Sequence, residues 1–318
     1  MGLTNFPHGI LATPNIGGGS TFAGWWSNQM LFVDNEGGGA AGTMDSPYQY
    51  VDTAIAAASA WATIYVRPRT PDIVGGDPQV IIPTSLTANL SIAKTLYGLT
   101  LIGTGTGQGA RCEGYATTLQ GAAGVTSTPV LNILAPYVDI ENFHFKKGGM
   151  TGYPLVQFYS PGFGGYIGNC KFNQGNGTAY NTAAVTINSA WYTTVAGCFF
   201  DRCSVGVGLA GATADLVGTR ISTNEFVQDA ANNYGDIIGF STTGHLRTII
   251  DGNSFGLLPS HAAPGKARYI YFSGGSDTGK VYDNFFATAT SVVTADNIVL
   301  NGLVDAGGNW TNRGWFTS

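Results

Sequence analysis

Nineteen Asp and Glu among 318 residues leave few places where acid–base chemistry could be assembled. Asp139 and Glu141 are the first candidates. They flank Ile140, and because side chains alternate along a strand both would leave the same face, with Cα atoms about 6 to 7 Å apart. A retaining glycosidase tolerates that separation, one carboxylate attacking while the other protonates the leaving group; two solvated surface acids is the plainer alternative. The run DLVGTRISTNE places Asp215, Arg220 and Glu225 close together, an acid, a cation and a second acid whose spacing matches no catalytic signature. Nucleophilic chemistry has less support. Cys112, Cys170, Cys198 and Cys203 include no Cys-x-x-Cys pair, so neither a redox pair nor a zinc knuckle is expected. His144, His245 and His261 are the histidines in the body of the chain, and no metal or cofactor is expected. GTGTGQG, residues 103 to 109, has the glycines of a phosphate loop but no following Lys-Ser/Thr or helix, and reads as a loop beside a strand.

The elements that would hold these residues are visible as an internal repeat, the sign of a solenoid. An aliphatic residue followed five positions later by Phe occurs at Ile140/Phe145, Ile167/Phe172, Val195/Phe200, Ile221/Phe226, Ile250/Phe255 and Val281/Phe286. Successive phenylalanines are 27, 28, 26, 29 and 31 residues apart. Between the anchors lies a Gly or Asn, namely Asn142, Asn169, Gly197, Asn224, Asn253 and Asn284. Both types tolerate left-handed backbone, so each motif reads as strand, sharp corner, strand. A further β-rich segment separates the motifs, for example PLVQFYS from Pro154, AAVTINS from Ala183 and GDIIGFS from Gly235. Several short strands per repeat describe one coil of a single right-handed parallel β-helix, whereas a propeller blade needs four strands and usually about 40 residues. A lone coil cannot bury its inward face; coils stacked about 4.8 Å apart bury a continuous column. Cys170 and Cys198 share a repeat position and are expected to form a small buried ladder. Asp201 is expected roughly one coil from Lys146, as an ion pair of little worth if exposed.

Both ends of such a solenoid need covering. The stretch DSPYQYVDTAIAAAS, residues 45 to 59, is expected to supply a helix that plugs the amino end, with Asp45 or Ser46 as cap and Pro47 in the first turn. NWTNRGWFTS, with Trp310, Trp315 and Phe316, closes the other end or meets a partner. A net charge of −5 with 14 scattered Lys and Arg provides no basic stripe, so nucleic acid is not an expected partner. The longest nearly apolar run, Ala54 to Val66, is interrupted by Ser59 and Thr63 and too short to span a bilayer, so no membrane is expected either. MGLTNFPHGI lacks the basic and apolar regions of a secretory signal, and classical export is not expected.

Residues 30 to 68, MLFVDNEGGGAAGTMDSPYQYVDTAIAAASAWATIYVRP, resemble the start of pectate-lyase-like β-helices: strand, Gly-rich loop, helix, then a TIYV strand. LTLIGTGTG, residues 99 to 107, resembles an early coil of that superfamily. With the later coils the resemblance covers nearly the whole chain, and it implies a fold more than a function. The paired aspartates and Gly-His-Gly of polygalacturonases are missing, Gly244-His245-Leu246 being a fragment, as are the Asp clusters of calcium-dependent pectate lyases. GLTNFPHGI, Gly2 to Ile10, resembles the amino-terminal segment of bacteriophage virion proteins, head decoration proteins among them. That resemblance implies an anchoring arm over residues 1–29, with Phe6, Pro7, Ile10, Phe22, Trp25 and Trp26 as virion contacts, and a β-helix domain over residues 30–318. It further implies capsid or other virion proteins as partners, a place in the virion after assembly in the host cytoplasm, and a homotrimer. The function so implied is a non-enzymatic capsid decoration, cement or head-fibre protein. The alternative is a tailspike or tail-fibre adhesin for host surface polysaccharide, with or without glycan cleavage, whose sugar groove would draw on Trp191, Tyr192, Tyr269 and Tyr271.

Overall fold

Ile140 and Phe145 fall in separate short strands, Asp139–Glu141 and Phe143–Lys146, and each later motif divides the same way. The computed structural model describes residues 29–36, 39–68, 80–81, 90–105, 117–121, 128–147, 153–173, 183–201, 203, 205–211, 215–228, 236–241, 244–257, 268–272, 276–286, 298–311 and 314–315. Among the described residues three long sheets result, with a two-stranded one formed by Leu216–Val217 and His245–Leu246. Sheet A has ten strands, from Gln29–Val33 to Leu303–Gly307; sheet B has ten, from Val80–Ile81 to Gly314–Trp315; sheet C has eight, from Leu90–Ile92 to Ile298–Val299. Each coil passes from C to A to B, and pairing between coils is parallel, which makes the molecule a right-handed parallel β-helix. The segments expected to separate the motifs are the strands of sheet C, such as Val156–Tyr159, Ala183–Asn188 and Ile237–Ser241.

In-register pairing stacks like on like. Ile64, Leu101, Ile140, Ile167, Val195, Ile221, Ile250 and Val281 succeed one another in sheet A, all buried. In sheet B the rings of Phe145, Phe172, Phe200, Phe226, Phe255 and Phe286 stack with centroids 4.7 to 5.3 Å apart and planes within 11°. Every one of those six side chains is fully buried, each contributing about 2 to 3 kcal/mol of transfer free energy. The strand spacing and the ring spacing are the same length, so the ladder continues without strain from coil to coil.

The corner between sheets A and B differs in part from expectation. Left-handed backbone occurs at Asn142, Asn169 and Gly197 as expected, but then at Thr223, Gly252 and Asp283, one residue before the asparagines chosen from the sequence. Asn224, Asn253 and Asn284 point inward instead and continue, with Asn309, a column begun by Cys170 and Cys198. The amide oxygens of Asn253, Asn284 and Asn309 each accept both a backbone N–H and a side-chain N–H from the coil before, that of Asn224 accepts the Cys198 N–H, and each Nδ2 also donates to a carbonyl of the coil before. A buried amide with every group satisfied stabilises a unique register, and it is this that selects Asn. The two cysteines are buried, unoxidised and share one position, the expected ladder.

At the amino end a helix does lie where a plug was expected, though shorter. It spans Val51–Ala57 and buries Val51, Ala54 and Ile55. Neither Asp45 nor Ser46 caps it, and Pro47 is outside: Tyr50 is the N-cap, without a side-chain bond. The cause is a parallel bridge that holds Tyr48 beside Val33, with Tyr48 N–H donating to Phe32 and Asp34 N–H to Tyr48. The chain stays extended through Tyr48, so helix begins only afterwards. The helix covers Leu90–Ile92, the edge of sheet C. At the other end Trp310–Thr311 pairs with Phe285–Phe286, and Gly314–Trp315 adds to it antiparallel as the last strand of sheet B.

Candidate functional site

Asp139 and Glu141 do leave the same face of sheet A, on either side of the buried Ile140. Their surroundings differ from those expected. Glu141 is only 6% exposed, lying in register between Ile102 of the previous coil and Gly168 of the next. The Tyr166 ring lies across Gly168, occupying the place a Cβ would take. Burial, and secondarily the charge of Asp139, pushes the Glu141 carboxyl up to about 7. Burial and the Glu141 charge likewise push the Tyr166 phenol upward. A perturbed carboxyl is a reason to suspect function, yet a general acid must reach the leaving oxygen of its substrate. Glu141 is covered by its own sheet.

The same shift has a consequence for stability. With a folded-state value near 7 against an ordinary 4.5, Glu141 favours folding fully below the ordinary carboxylate range, and that contribution is lost as pH rises through about 7. Glu141→Gln is therefore expected to leave stability unchanged at pH 4 and to raise it at pH 8, by on the order of 2 kcal/mol. Denaturant midpoints at the two pH values check this; an unchanged pH slope in the variant would assign the shift elsewhere.

The other acid–base groupings come apart. Arg220, on sheet A, makes a two-pronged ion pair with Asp251 of the next coil, Nε to Oδ1 at 3.1 Å and Nη2 to Oδ2 at 2.8 Å. Asp215 lies at the C-to-A corner, where its carboxylate accepts the Gly244 N–H, and Glu225 belongs to sheet B. Asp201 sits two coils, not one, from Lys146, since Asn173 is in register between them. Its ion pair is with Lys171, Nζ to Oδ2 at 3.8 Å, and it also accepts from Asn173. His245 and Asp277 pair at 2.7 Å with both side chains fully buried, so the Gly244-His245-Leu246 fragment offers no histidine to a polymer. Among the described residues no three His, Cys, Asp or Glu gather as metal ligands, and no helix is long and apolar enough to cross a membrane.

The four aromatics considered for sugar contact separate into two kinds. Trp191 and Tyr192 are exposed, by 47% and 53%, at the C-to-A corner. Tyr269 is buried against the Phe ladder, and Tyr271 lies beneath the Arg268 guanidinium, 3.8 Å from its ring centroid. Sequence reasoning missed the company that Trp191 and Tyr192 keep: Trp61, Tyr97, Tyr137 and Phe163 are exposed at the same corner of preceding coils. The proposed arm residues Phe6, Pro7, Ile10, Phe22, Trp25 and Trp26, and also His261 and Cys112, lie outside the described residues.

Comparison with solved structures finds a pectate lyase, Pel9A, with a TM-score of 0.55 over 90% of this chain and 68% of that one, at 11% identity. The likeness is one of fold. ORF18 of Geobacillus virus E2 aligns with a TM-score of 0.47 at 14% identity, covering 81% of this chain and 53% of that one. A carrot pectin methylesterase aligns with a TM-score of 0.42 at 12% identity, over 90% and 81%. No family model matches the chain, and no curated protein does.

Proposed function

We propose that this chain is a structural protein of a bacteriophage particle, a rigid β-helical body held to the capsid, or to another virion component, by residues 1–29. The observation that carries the reading is the dispersal of the candidate catalytic groups into ion pairs and buried positions around an unbroken column of six phenylalanines. Such a body is suited to bearing load and presenting surface, and it performs no chemistry of its own. Residues 1–29 hold Phe6, Phe22, Trp25 and Trp26 among eight glycines and prolines, a composition apolar enough to gain from ordering on a partner. Aromatic anchors dominate contacts of this kind.

Deleting residues 2 to 24 is expected to leave a folded β-helix that no longer joins particles, while the intact protein attaches and releases no new reducing ends from host polysaccharide. Sedimentation with purified particles measures the first, a reducing-sugar assay the second. Attachment of the truncated protein at normal occupancy would move the anchor elsewhere, with the hairpin around Trp310 next in line. Homotrimerisation is part of this proposal and is read from sedimentation equilibrium.

A further inference from the structure

At the C-to-A corner one residue per coil has left-handed backbone, always three positions before the aliphatic anchor of sheet A. In order they are Trp61, Gly98, Tyr137, Gly164, Tyr192, Gly218 and Arg247, with φ between 55° and 73°. Glycine suits that conformation; a bulky aromatic residue is strained in it. From Trp61 to Gly218 aromatic and glycine alternate, so the backbone of this corner itself accepts glycine. The Trp61, Tyr137 and Tyr192 rings each lie across the glycine of the next coil, in the space a Cβ would need. Backbone bonds tie the same residues together, Trp61 N–H to Tyr97 at 2.9 Å, Tyr137 N–H to Phe163 and Tyr192 N–H to Val217 at 2.7 Å.

Strain at these three positions coincides with exposure. Trp61, Tyr97, Tyr137, Phe163, Trp191 and Tyr192 are all 37% to 53% exposed, and they run up five successive coils, about 19 Å at the strand spacing. The stripe is held rigid. Trp61 and Tyr137 have near-parallel planes (15°) with centroids 6.3 Å apart, Tyr97 and Phe163 meet them edge-on, and Trp191 Nε1 donates to the Asp215 carbonyl at 2.9 Å. Strained backbone at exposed aromatics, kept where glycine would serve, marks function rather than folding.

We propose that this corner binds an uncharged, extended polysaccharide laid along the solenoid axis. The apolar faces of pyranose rings stack on aromatic rings, and one coil step, about 4.8 Å, is close to the length of one sugar unit in an extended chain. Trp61, Tyr137 and Tyr192 belong to alternate coils, and the Trp61 and Tyr137 rings lean to within 6.3 Å of each other, forming a near-continuous apolar strip. Lys94 and Asp215 are exposed at the same corner, but the six ring side chains themselves carry no charge, whereas the centre of a protein interface draws also on Met and Arg. Rings already fixed in place lose little entropy when the sugar arrives. The inference goes beyond the particle-protein reading and does not depend on the arm.

The test uses the full-length protein in native gels cast with hydroxyethyl cellulose, glucomannan or xylan. Retardation in at least one gel is expected, and the triple variant Trp61→Gly, Tyr137→Gly, Tyr192→Gly should bind at least tenfold more weakly. Glycine relieves the strained backbone but removes rings that cover the glycines of the next coil, so an unchanged β-sheet circular dichroism spectrum confirms that the variant is folded before binding is read. Trp310→Ala, which removes an exposed aromatic elsewhere, should bind as the parent does. No retardation by any of the three polysaccharides, or equal retardation of the triple variant, overturns the proposal. So does a parent that elutes as an oligomer and a triple variant that elutes as a monomer, which would make the stripe a contact between copies. Particle attachment by the triple variant is expected to be normal, so failure here is distinguishable from failure of the arm.

Discussion

Phe226→Ala is expected to lower stability by about 3 to 5 kcal/mol, the range for a buried aromatic cut to alanine. Phe226 is fully buried between Phe200, 4.7 Å below at 6°, and Phe255, 4.9 Å above at 5°. Its ring also covers the Cα of Gly206, where a Cβ would collide with it. Collapse usually recovers part of such a loss, but here the gap cannot close. The coils on either side are held at strand spacing by the pairing of Phe199–Asp201, Glu225–Gln228 and Ser254–Leu257, so the stacked rings cannot approach one another. A repeat array also depends on contact between neighbours, and a breach in the middle uncouples the two halves. Denaturant unfolding checks the figure. A loss below about 1 kcal/mol would mean that the ladder contributes little beyond filling space.

How far this was legible in the sequence depends on how many physical roles a residue type can play at its position. Phenylalanine at intervals near 28 residues has one explanation in a solenoid, an inward column, and Phe145 to Phe286 form it. Asparagine has two. Asn142 and Asn169 turn the corner with φ of 62° and 51°, while Asn224, Asn253 and Asn284 use their amides one position later. Gly252 and Asp283, directly before two of them, carried the distinguishing signal. The ion pairs depended on coil counting: 55 positions separate Lys146 from Asp201, which at the repeat length is two coils. Exposure was the least legible property. Hydrophobicity cannot separate Tyr137 on the surface from Tyr269 in the core, though a fixed offset of three residues from Ile64, Leu101, Ile140, Ile167, Val195 and Ile221, filled alternately by aromatic and glycine, was present in the sequence throughout.

The second large effect is expected at Asp277. Its Oδ1 accepts the His245 Nδ1–H at 2.7 Å and the His245 backbone N–H at 3.0 Å, and its Oδ2 accepts Asn301 Nδ2 at 3.1 Å. The imidazole is packed edge-on to Phe272, with the Leu209 carbonyl 3.4 Å from Nε2. Neither side chain reaches solvent, so water cannot replace a missing partner. The pair ties the strand His245–Leu246, and through it Leu216–Val217, to the coil that follows, which fixes the upper end of the aromatic corner. Asp277→Leu should therefore cost about 3 to 5 kcal/mol, most of it from leaving a buried imidazole without its carboxylate. Removing the imidazole as well should recover part of that cost, because a buried polar pair replaced on both sides by apolar groups is far less destabilising than a pair broken on one side. The His245→Leu, Asp277→Leu double variant still orphans the His245 backbone N–H and the Asn301 amide, so recovery is incomplete. Unfolding of the parent, both single variants and the double variant completes the cycle. The expected result is a double variant more stable than Asp277→Leu alone; losses that simply add would show that His245 and Asp277 act independently, each through packing with its own neighbours.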